Sequence, residues 1–396
     1  MKKLNIFQFI KTKLKKTIYN TCQIEQMLSM LHQIDRLDVQ SFIISNVSSH
    51  TILICEFFKV HGECLPSYVK YFLTLGYNVH VVIDVYNYIL GTFAKCNFPK
   101  DRVKIFIVDK HLLYNDLFYK KIIRYQYIVF ATNFFWENYL SFFEHKYVKA
   151  YNKNNFYWIE HHLHQYYEHQ EKHICDKEYF ERHLLLIRVN PIHPWVIPLY
   201  FYDNVLVKKT KGNVTNFLSV GRIEKQTRNY DLLFDVIREL INRNIRNFKV
   251  TVVGYWGDLS VFNLQELDEY IDIRGTLSYD AMYECVEHAD FLLSLLDFSN
   301  EESKKNYIQN VQTSGTNNLS IGFQTPCLYN EHFGKSFGFS DSNALLYSDN
   351  SLLEAMLKAM KMSDAEYQFL QKNLLQMKLG LEADSLKNLE NIFGKL

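Results

Sequence analysis

The sequence predicts an α/β protein made of two doubly wound domains. Its 396 residues suit two domains of ordinary size better than one. Apolar runs of strand length alternate with stretches of helical apolar spacing, stop at a proline-rich segment, and then start again. With 48% hydrophobic and 22% charged residues, the composition is typical of a folded globular chain.

The first half contains five strand candidates separated by helices. The run HTILICEFF at 50–58 is followed by a loop, a helix that stops at Gly76, and a second strand at 77–85. This strand–loop–helix–strand unit is typical of the first βαβ crossover of a parallel sheet. Further strands are predicted at 103–109, 127–133 and 155–161, and helices at 112–124 and 134–147.

The proline-rich segment divides the chain. Three of the six prolines, Pro191, Pro194 and Pro198, fall close together, which indicates a linker. The second half then repeats the alternation, with strands at 216–221, 248–254, 270–275, 290–296, 325–330 and 344–348, a helix from near Thr316 and a last helix near 363–394. We therefore expect a basic helical segment at 1–46, Rossmann-like domains at 47–205 and 206–375, and a C-terminal helix at 376–396.

Charge and cysteine usage limit the partners and the compartment. A net charge of +1 predicts no nucleic-acid partner. Residues 1–16 carry six lysines among apolar side chains, so this stretch is either a solvated first helix or a contact to an anionic membrane surface. No apolar run is long enough for a membrane span, and the seven cysteines are scattered without CxxC pairs. We expect a cytoplasmic protein, with peripheral attachment to the inner face of the cytoplasmic membrane as the alternative.

The loop after the first strand of the second half is a candidate anion site. Gly221 ends that strand, and Arg222, Lys225 and Arg228 follow it. Ligands of open α/β sheets lie beyond the carboxyl ends of the strands, where cations at this place can hold a diphosphate. Solvated loop cations are the alternative interpretation.

Three further strand-end loops of the second half are candidates for the same ligand. Glycines after the strands let a ligand approach the backbone closely, and a polar turn that opens a helix presents free N–H groups to a phosphate. Simple turns and a capped structural helix are the alternatives. The candidate residues are Gly254, Tyr255, Gly275, Thr276, Leu277, Ser314, Gly315, Thr316, Asn317 and Asn318.

The order of these motifs resembles the C-terminal domain of GT-B glycosyltransferases, particularly those similar to family 4. The succession VGRIEKQ, VVG, RGTLSYDAMYECVEHADFLLSLL, SGTNNLSIGFQTP and NALLYSDNSLLEAM carries the resemblance over 214–375. It implies a GT-B fold in which Arg222 binds the donor diphosphate. Thr227 stands where the family has a lysine, so Lys225 or Arg228 supplies the second cation.

The resemblance also assigns the other loops and marks a departure. It implies that the loop at Gly275 contacts the nucleobase and that the turn at 314–318 contacts phosphate and ribose. Where the family carries the second of two glutamates, this sequence has the neutral Asn318, Leu319 and Ser320, so the stereochemical outcome is not carried over. GT-B enzymes typically need no metal, and we expect neither a metal nor another cofactor.

The first half resembles the same enzymes more loosely, and it supplies two candidate catalytic residues. Glu63 follows the first strand, where a carboxylate that faces the cleft could deprotonate an acceptor hydroxyl; an exposed loop glutamate is the alternative. His161 stands at the end of the strand predicted at 155–161, where such enzymes often present a cleft histidine. Of the histidines after it, His169 and His173 have the i, i+4 spacing of a helical zinc pair, but Gln170 stands where a metalloprotease zinc motif needs its glutamate.

The leading functional prediction is a glycosyltransferase, of hexosyltransferase type, that moves a sugar from a nucleotide-sugar to an acceptor hydroxyl. The acceptor, a glycan or a lipid-linked glycan of a bacterial surface polysaccharide, lipopolysaccharide or glycolipid, would bind the first domain. A nucleotide-sugar epimerase of the same architecture and an inert sugar-nucleotide-binding subunit are the alternatives. The absence of G-x-G-x-x-G after either first strand argues against a hydride-transferring enzyme.

Overall fold

A computed structural model describes the chain over residues 39–58, 61–108, 116–132, 146–149, 155–161, 184–208, 210–223, 228–255, 264, 267–309, 312–348 and 351–396. The basic stretch at 1–16, Lys225 and the histidines from His162 to His173 lie outside these residues. None of the described helices is both long enough and apolar enough to span a bilayer.

The first domain is built on a six-stranded parallel sheet. Its strands are almost fully buried, because helices cover both faces of such a sheet and leave no alternation with solvent. The strands are β1 (Thr51–Glu56), β2 (Asn78–Asp84), β3 (Val103–Val108), β4 (Tyr127–Phe130), β5 (Phe156–Glu160) and β6 (Leu184–Leu186).

The second domain repeats this plan with a second six-stranded parallel sheet. Its strands are β7 (Thr215–Val220), β8 (Phe248–Val253), β9 (Ile271–Gly275), β10 (Phe291–Leu293), β11 (Cys327–Asn330) and β12 (Leu345–Tyr347). The strand order is β3-β2-β1-β4-β5-β6 in the first sheet and, in the same sense, β9-β8-β7-β10-β11-β12 in the second. Each sheet is therefore doubly wound, with a switch point between its first and fourth strands.

The helices lie between the strands in sequence. Those of the first domain are α1 (Val39–Ile44), α2 (Leu65–Thr74), α3 (Val85–Ile89), α4 (Asp116–Ile122) and α5 (Lys146–Lys149). Those of the second are α6 (Tyr230–Asn242), α7 (Tyr279–His288), α8 (Glu301–Lys304) with a π-helical turn at Lys305–Gln309, α9 (Gly315–Phe323), α10 (Glu331–Ser336), α11 (Leu352–Lys361) and α12 (Asp364–Phe393).

Two segments connect the domains. The proline-rich linker is buried from Val196 to Tyr202 and packs between the two halves. The last helix, α12, starts with a capping box at Ser363 on the second domain. It ends on the first domain, where Phe393 packs in the core and the Leu396 N–H donates to the Leu75 carbonyl at 2.9 Å.

All eleven predicted strands are present, and the differences are local. β6 was not predicted, because a three-residue edge strand is too short to show a period. The helix predicted from near Thr316 begins at Gly315. α12 crosses the boundary drawn at 375, and the domain boundaries stay predictions.

Candidate functional site

The candidate residues gather at the switch points of the two sheets. In the first domain the carboxyl ends of β1 and β4 lie side by side, and in the second those of β7 and β10 do. Ligands of open α/β sheets bind at such points, because the loops diverge there to opposite faces and leave a crevice.

Glycines bring three strand-end loops of the second domain together. Gly221, Gly254 and Gly275 all have positive φ. The Gly221 N–H donates to the Val253 carbonyl at 2.9 Å, and the Gly254 N–H donates to the Gly275 carbonyl at 2.8 Å. A Cβ on Gly254 would lie 1.7 Å from the Gly221 carbonyl oxygen, so only glycine permits this approach. The backbone beyond β7, β8 and β9 thus forms one open edge.

Arg228 is buried at the switch point of the second sheet. Its guanidinium lies against Gly221 and donates to the Ser294 carbonyl at 2.8 Å, which joins the ends of β7 and β10. Within the part of the chain that the structure describes, Arg228 makes no ion pair. A buried cation needs a compensating negative charge, so this position favours an anionic ligand. Arg222, by contrast, is exposed.

Helix α9 starts beside the end of β7, and its N-terminus is a second element that suits an anion. Ser314 is the N-cap of α9, and Thr316 Oγ1 donates to the Val220 carbonyl at 3.3 Å, which places the helix start next to the end of β7. Among the described residues the buried Ser314 hydroxyl has no hydrogen-bond partner. The positive end of the helix dipole and this free hydroxyl face the same edge as Gly221.

The other predicted donor residues differ in role. Asn317 and Asn318 are buried in the first turn of α9, and Asn317 Oδ1 accepts from the Tyr329 hydroxyl at 2.8 Å. A Cβ on Gly315 would meet nothing within 4 Å. Tyr255 is 55% exposed, while Thr276 and Leu277 are half-buried between β9 and α7.

A buried carboxyl group lies at the switch point of the first sheet. Glu56 ends β1 and accepts from Thr132 Oγ1 at 2.6 Å, just beyond β4, and from the Phe58 N–H at 2.7 Å. Burial raises the pKa of this carboxyl to about 8; the two hydrogen bonds oppose the rise, and the nearby Glu63 and Asp84 add to it. Glu56 is therefore largely protonated at neutral pH.

Two histidines and a second carboxylate share this edge. The rings of His61 and His161 have centroids 4.0 Å apart, and His161 Nε2 lies 3.0 Å from the Ala131 carbonyl oxygen. His61 Nδ1 is 3.9 Å from Glu63 Oε1. Glu63 is one-quarter exposed, so it is not the fully exposed loop glutamate of the alternative interpretation. Asp84, at the end of β2, caps α3 through the Tyr86 N–H.

Glu63 also contacts the second domain. The hydroxyl of Tyr279, in the first turn of α7, donates to Glu63 Oε2 at 3.1 Å. Burial raises the pKa of the Glu63 carboxyl above its ordinary value, and the bond from Tyr279 opposes the rise. One carboxylate of the first domain thus faces the edge of the other domain.

The sequence did not single out Glu56, His61 or Tyr279. Glu56 carries the only detectable signal, since it is a charged residue inside an otherwise apolar strand run. His61 adopts a positive φ of 77°, and Tyr279 reaches Glu63 only through the packing of two domains. Neither feature has a local sequence pattern.

Comparison with known proteins places this architecture. No family model matches the sequence, and no curated protein sequence matches it. An α-glucosyltransferase in complex with UDP and a 13-mer DNA superposes with a TM-score of 0.53 at 12% identity, covering 86% of this chain and 100% of that one. An E. coli structure named for trehalose-6-phosphate and bound with UDP-2-fluoro glucose has a TM-score of 0.53 at 10% identity, over 86% and 98% of the two chains.

A third structure agrees with these two. A glycosyltransferase from Rickettsia africae ESF-5 has a TM-score of 0.50 at 11% identity, covering 88% of this chain and 100% of that one. At such identities the likeness concerns the fold. The chain has the GT-B fold, as the motif order predicted.

Proposed function

We propose that this chain is a glycosyltransferase that moves a sugar from a nucleoside-diphosphate sugar to an acceptor hydroxyl. One observation carries the proposal: the buried Arg228 guanidinium lies at the switch point of the second sheet, beside the N-terminus of α9. A diphosphate matches this edge, because it offers negative charge to the guanidinium and acceptor oxygens to the free N–H groups of the helix.

The donor is proposed to be a uridine diphosphate sugar. Two structures of similar fold hold UDP or UDP-2-fluoro glucose, and this supports the choice of nucleotide. A nucleobase is proposed to bind beside the glycines at Gly254 and Gly275, where Tyr255 offers an exposed ring. Arg222 and Lys225 are proposed as further contacts to the diphosphate.

The transfer step uses both edges. The Glu63 carboxylate takes the proton of the acceptor hydroxyl, the acceptor oxygen bonds to the anomeric carbon, and the bond from that carbon to the phosphate oxygen breaks. The diphosphate leaves with the electron pair of that bond, and Arg228 and the start of α9 stabilise its charge. His161 is proposed to contact the acceptor. No metal is assigned to the step, and turnover in EDTA is expected to match turnover without it.

The acceptor is proposed to be a glycan or a lipid-linked glycan. The motif order that resembles family 4 supports this class, and the lysines of residues 1–16 suit work at an anionic membrane surface on the cytoplasmic side. Deletion of residues 1–20 is then expected to weaken binding to vesicles that contain phosphatidylserine and to leave binding to neutral vesicles unchanged. Equal binding by the shortened and the full chain would remove the membrane part of the proposal.

The donor site is tested by thermal unfolding with a panel of nucleosides, nucleotides and nucleotide-sugars. A ligand at one hundred times its dissociation constant stabilises the fold by about 2.7 kcal/mol. We expect stabilisation by UDP and by one or more UDP-sugars, and little by uridine. No stabilisation of the folded protein by any nucleoside diphosphate would contradict the donor site. Binding without transfer or donor hydrolysis would favour an inert subunit.

A nucleotide-sugar epimerase is the second candidate. The observation that favours it is the collection of Glu56, Glu63, His61 and His161 at one edge, since such enzymes need several acid–base groups. Incubation of UDP-sugars with the protein and no acceptor separates the two functions. An epimerase produces a UDP-sugar with an altered sugar. A transferase without an acceptor slowly hydrolyses the UDP-sugar and releases UDP.

A further inference from the structure

Tyr279 joins the two domains through both its backbone and its side chain. It is the first residue of α7 in the second domain. Its N–H donates to the Leu90 carbonyl at 2.7 Å, and its hydroxyl donates to Glu63 Oε2 at 3.1 Å; both acceptors belong to the first domain. The backbone bond holds the start of α7 against the first domain. From that position the Tyr279 ring points its hydroxyl at the Glu63 carboxylate.

The surroundings make this phenol a hydrogen-bond donor. Tyr279 is 9% exposed, and its ring stacks on Tyr283 with centroids 6.1 Å apart. Burial and the neighbouring Glu63 raise the pKa of the Tyr279 hydroxyl well above its ordinary value, so it keeps its proton. A phenol hydroxyl that donates to a carboxylate stabilises the charged form of that carboxylate.

Backbone hydrogen bonds at Glu63 and His61 also favour the charged form of the Glu63 carboxyl, and Tyr279 adds a side-chain hydrogen bond to them. The titratable groups around it in the described chain are His61, at 3.9 Å from Oε1, Glu56, Cys64, Tyr68 and the two tyrosines of α7. Glu56 and Cys64 are acids, which oppose a negative charge on Glu63 when they are ionised. The Tyr279 hydroxyl donates a hydrogen bond to Glu63 from the second domain.

We propose that Tyr279 is a positioning residue for Glu63. Its hydrogen bond across the contact between the domains holds the Glu63 carboxylate in one orientation. The inference rests on the proposed function, since it takes Glu63 as the base. When the domains separate, Glu63 Oε2 loses the hydrogen bond from Tyr279. The base is therefore oriented only in the domain arrangement that also encloses the nucleotide-sugar. A carboxylate has about four acceptor positions, so the bond from Tyr279 leaves room for the acceptor hydroxyl.

The first test measures the protonation of Glu63 without any turnover. Infrared difference titration compares each protein with its own Glu63→Gln counterpart, which isolates the carboxyl band of this residue. In Tyr279→Phe the midpoint should rise by about one pH unit, because a hydrogen bond to a charged group is lost. Tyr283→Phe is the matched control, since its buried hydroxyl has no hydrogen-bond partner in the described chain. Equal midpoints in Tyr279→Phe and the wild type would overturn the inference.

The second test measures UDP-glucose hydrolysis, with water as the acceptor. Tyr279→Phe should lower kcat about tenfold on the acid limb of the pH profile and shift that limb upward by about one pH unit, with KM and the affinity for UDP unchanged. Tyr283→Phe should retain the wild-type profile. If the pH profile of Tyr279→Phe is unshifted while Glu63→Gln is inactive, the role of Tyr279 is wrong and the proposed function still stands. Absence of hydrolysis by a wild type that binds UDP would contradict the proposed function, and the infrared titration would still decide the role of Tyr279.

Discussion

The two sheets share one strand order, yet the groups that bridge their switch points have opposite chemistry. In the first sheet Glu56 reaches from β1 to Thr132 beyond β4, and in the second Arg228 reaches from the end of β7 to the Ser294 carbonyl beyond β10. The fold supplies the same crevice twice, and the side chain at its centre decides which ligand suits it. The first edge carries groups that can take or give protons, and the second carries a buried cation that suits an anion.

The surroundings extend this contrast. The first edge adds His61, His161 and Glu63 to Glu56, all of them groups that take or give protons. The second edge adds glycine backbone and a helix N-terminus, which offer N–H donors that do not titrate. A reaction that needs both a base and a stabilised leaving group can therefore divide the two tasks between the domains.

Removal of the base should break the contrast most strongly. Glu63→Gln keeps the size of the side chain and cannot take a proton, so kcat for transfer should fall by about 10²–10⁴-fold. UDP affinity, measured by calorimetry, should stay within about twofold of the wild type, because the donor lies on the other edge. Glu284→Gln, an exposed carboxylate of α7 paired with Lys95, is the control. A Glu63→Gln protein with wild-type kcat would exclude Glu63 as the base.

The buried carboxyl of the first edge should make stability depend on pH. The pKa of Glu56 is raised from its ordinary value of 4.5 to about 8 in the folded chain. The folded state therefore holds this proton more tightly than the unfolded state does. The stabilisation is complete below about pH 4.5 and is lost as the pH rises to about 8.

Glu56→Gln removes this dependence, because its amide does not ionise. Denaturant unfolding at several pH values should show the wild type losing about 4 kcal/mol relative to Glu56→Gln between pH 4.5 and 9. Glu239→Gln, an exposed carboxylate paired with Arg243, should parallel the wild type. A constant difference between Glu56→Gln and the wild type at all pH values would show that Glu56 titrates normally.

Loss of the cation should break the second edge. Arg228→Met should weaken UDP binding about 100-fold, since a diphosphate would lose a buried charged partner. Arg228→Lys keeps the charge and should bind UDP more tightly than Arg228→Met does. Arg238→Met removes a half-buried arginine of α6 that pairs with Asp235, and it should bind UDP like the wild type. Calorimetry on proteins with native circular dichroism spectra gives the comparison, and unchanged affinity in Arg228→Met would contradict the assignment.

The glycine framework of the second edge should respond to a single methyl group. In Gly254→Ala the new Cβ would lie 1.7 Å from the Gly221 carbonyl oxygen, so the loops must separate, at a cost of about 2 kcal/mol or more. Gly315→Ala is the matched control, because its Cβ enters open space. Thermal unfolding should show a lower Tm for Gly254→Ala and nearly the wild-type Tm for Gly315→Ala. Equal Tm values would mean that the contact between the loops is not tight.

The sequence predicted the fold well because several of its strands are buried on both faces. Mostly apolar runs such as TILICE and NVHVVID, separated by helical spacing, predict a parallel α/β sheet directly. The resemblance of the motif order to GT-B enzymes added the pairing of two domains. β6 was missed because three residues at a sheet edge carry no period.

The sites were predictable only where a local pattern exists. Gly221 and Gly254 directly follow strands, and the turn before α9 is a run of small polar residues, so all of them stand out in the sequence. The motif resemblance favoured Arg222 over Arg228, and the sequence could not show that Arg228 is the buried one, because its burial involves the Ser294 carbonyl beyond β10. The contact of Tyr279 with Glu63 joins residues 216 positions apart, which no spacing rule detects.

A crystal structure of the protein with UDP tests the division of the two edges most directly. We expect the diphosphate at the carboxyl ends of β7 and β10, with its oxygens within hydrogen-bond distance of the Arg228 guanidinium and of the N–H groups at the start of α9. We also expect the edge around Glu56 and His161 to stay free of nucleotide. UDP bound at that first edge, or bound away from Arg228, would contradict the division of tasks between the two edges.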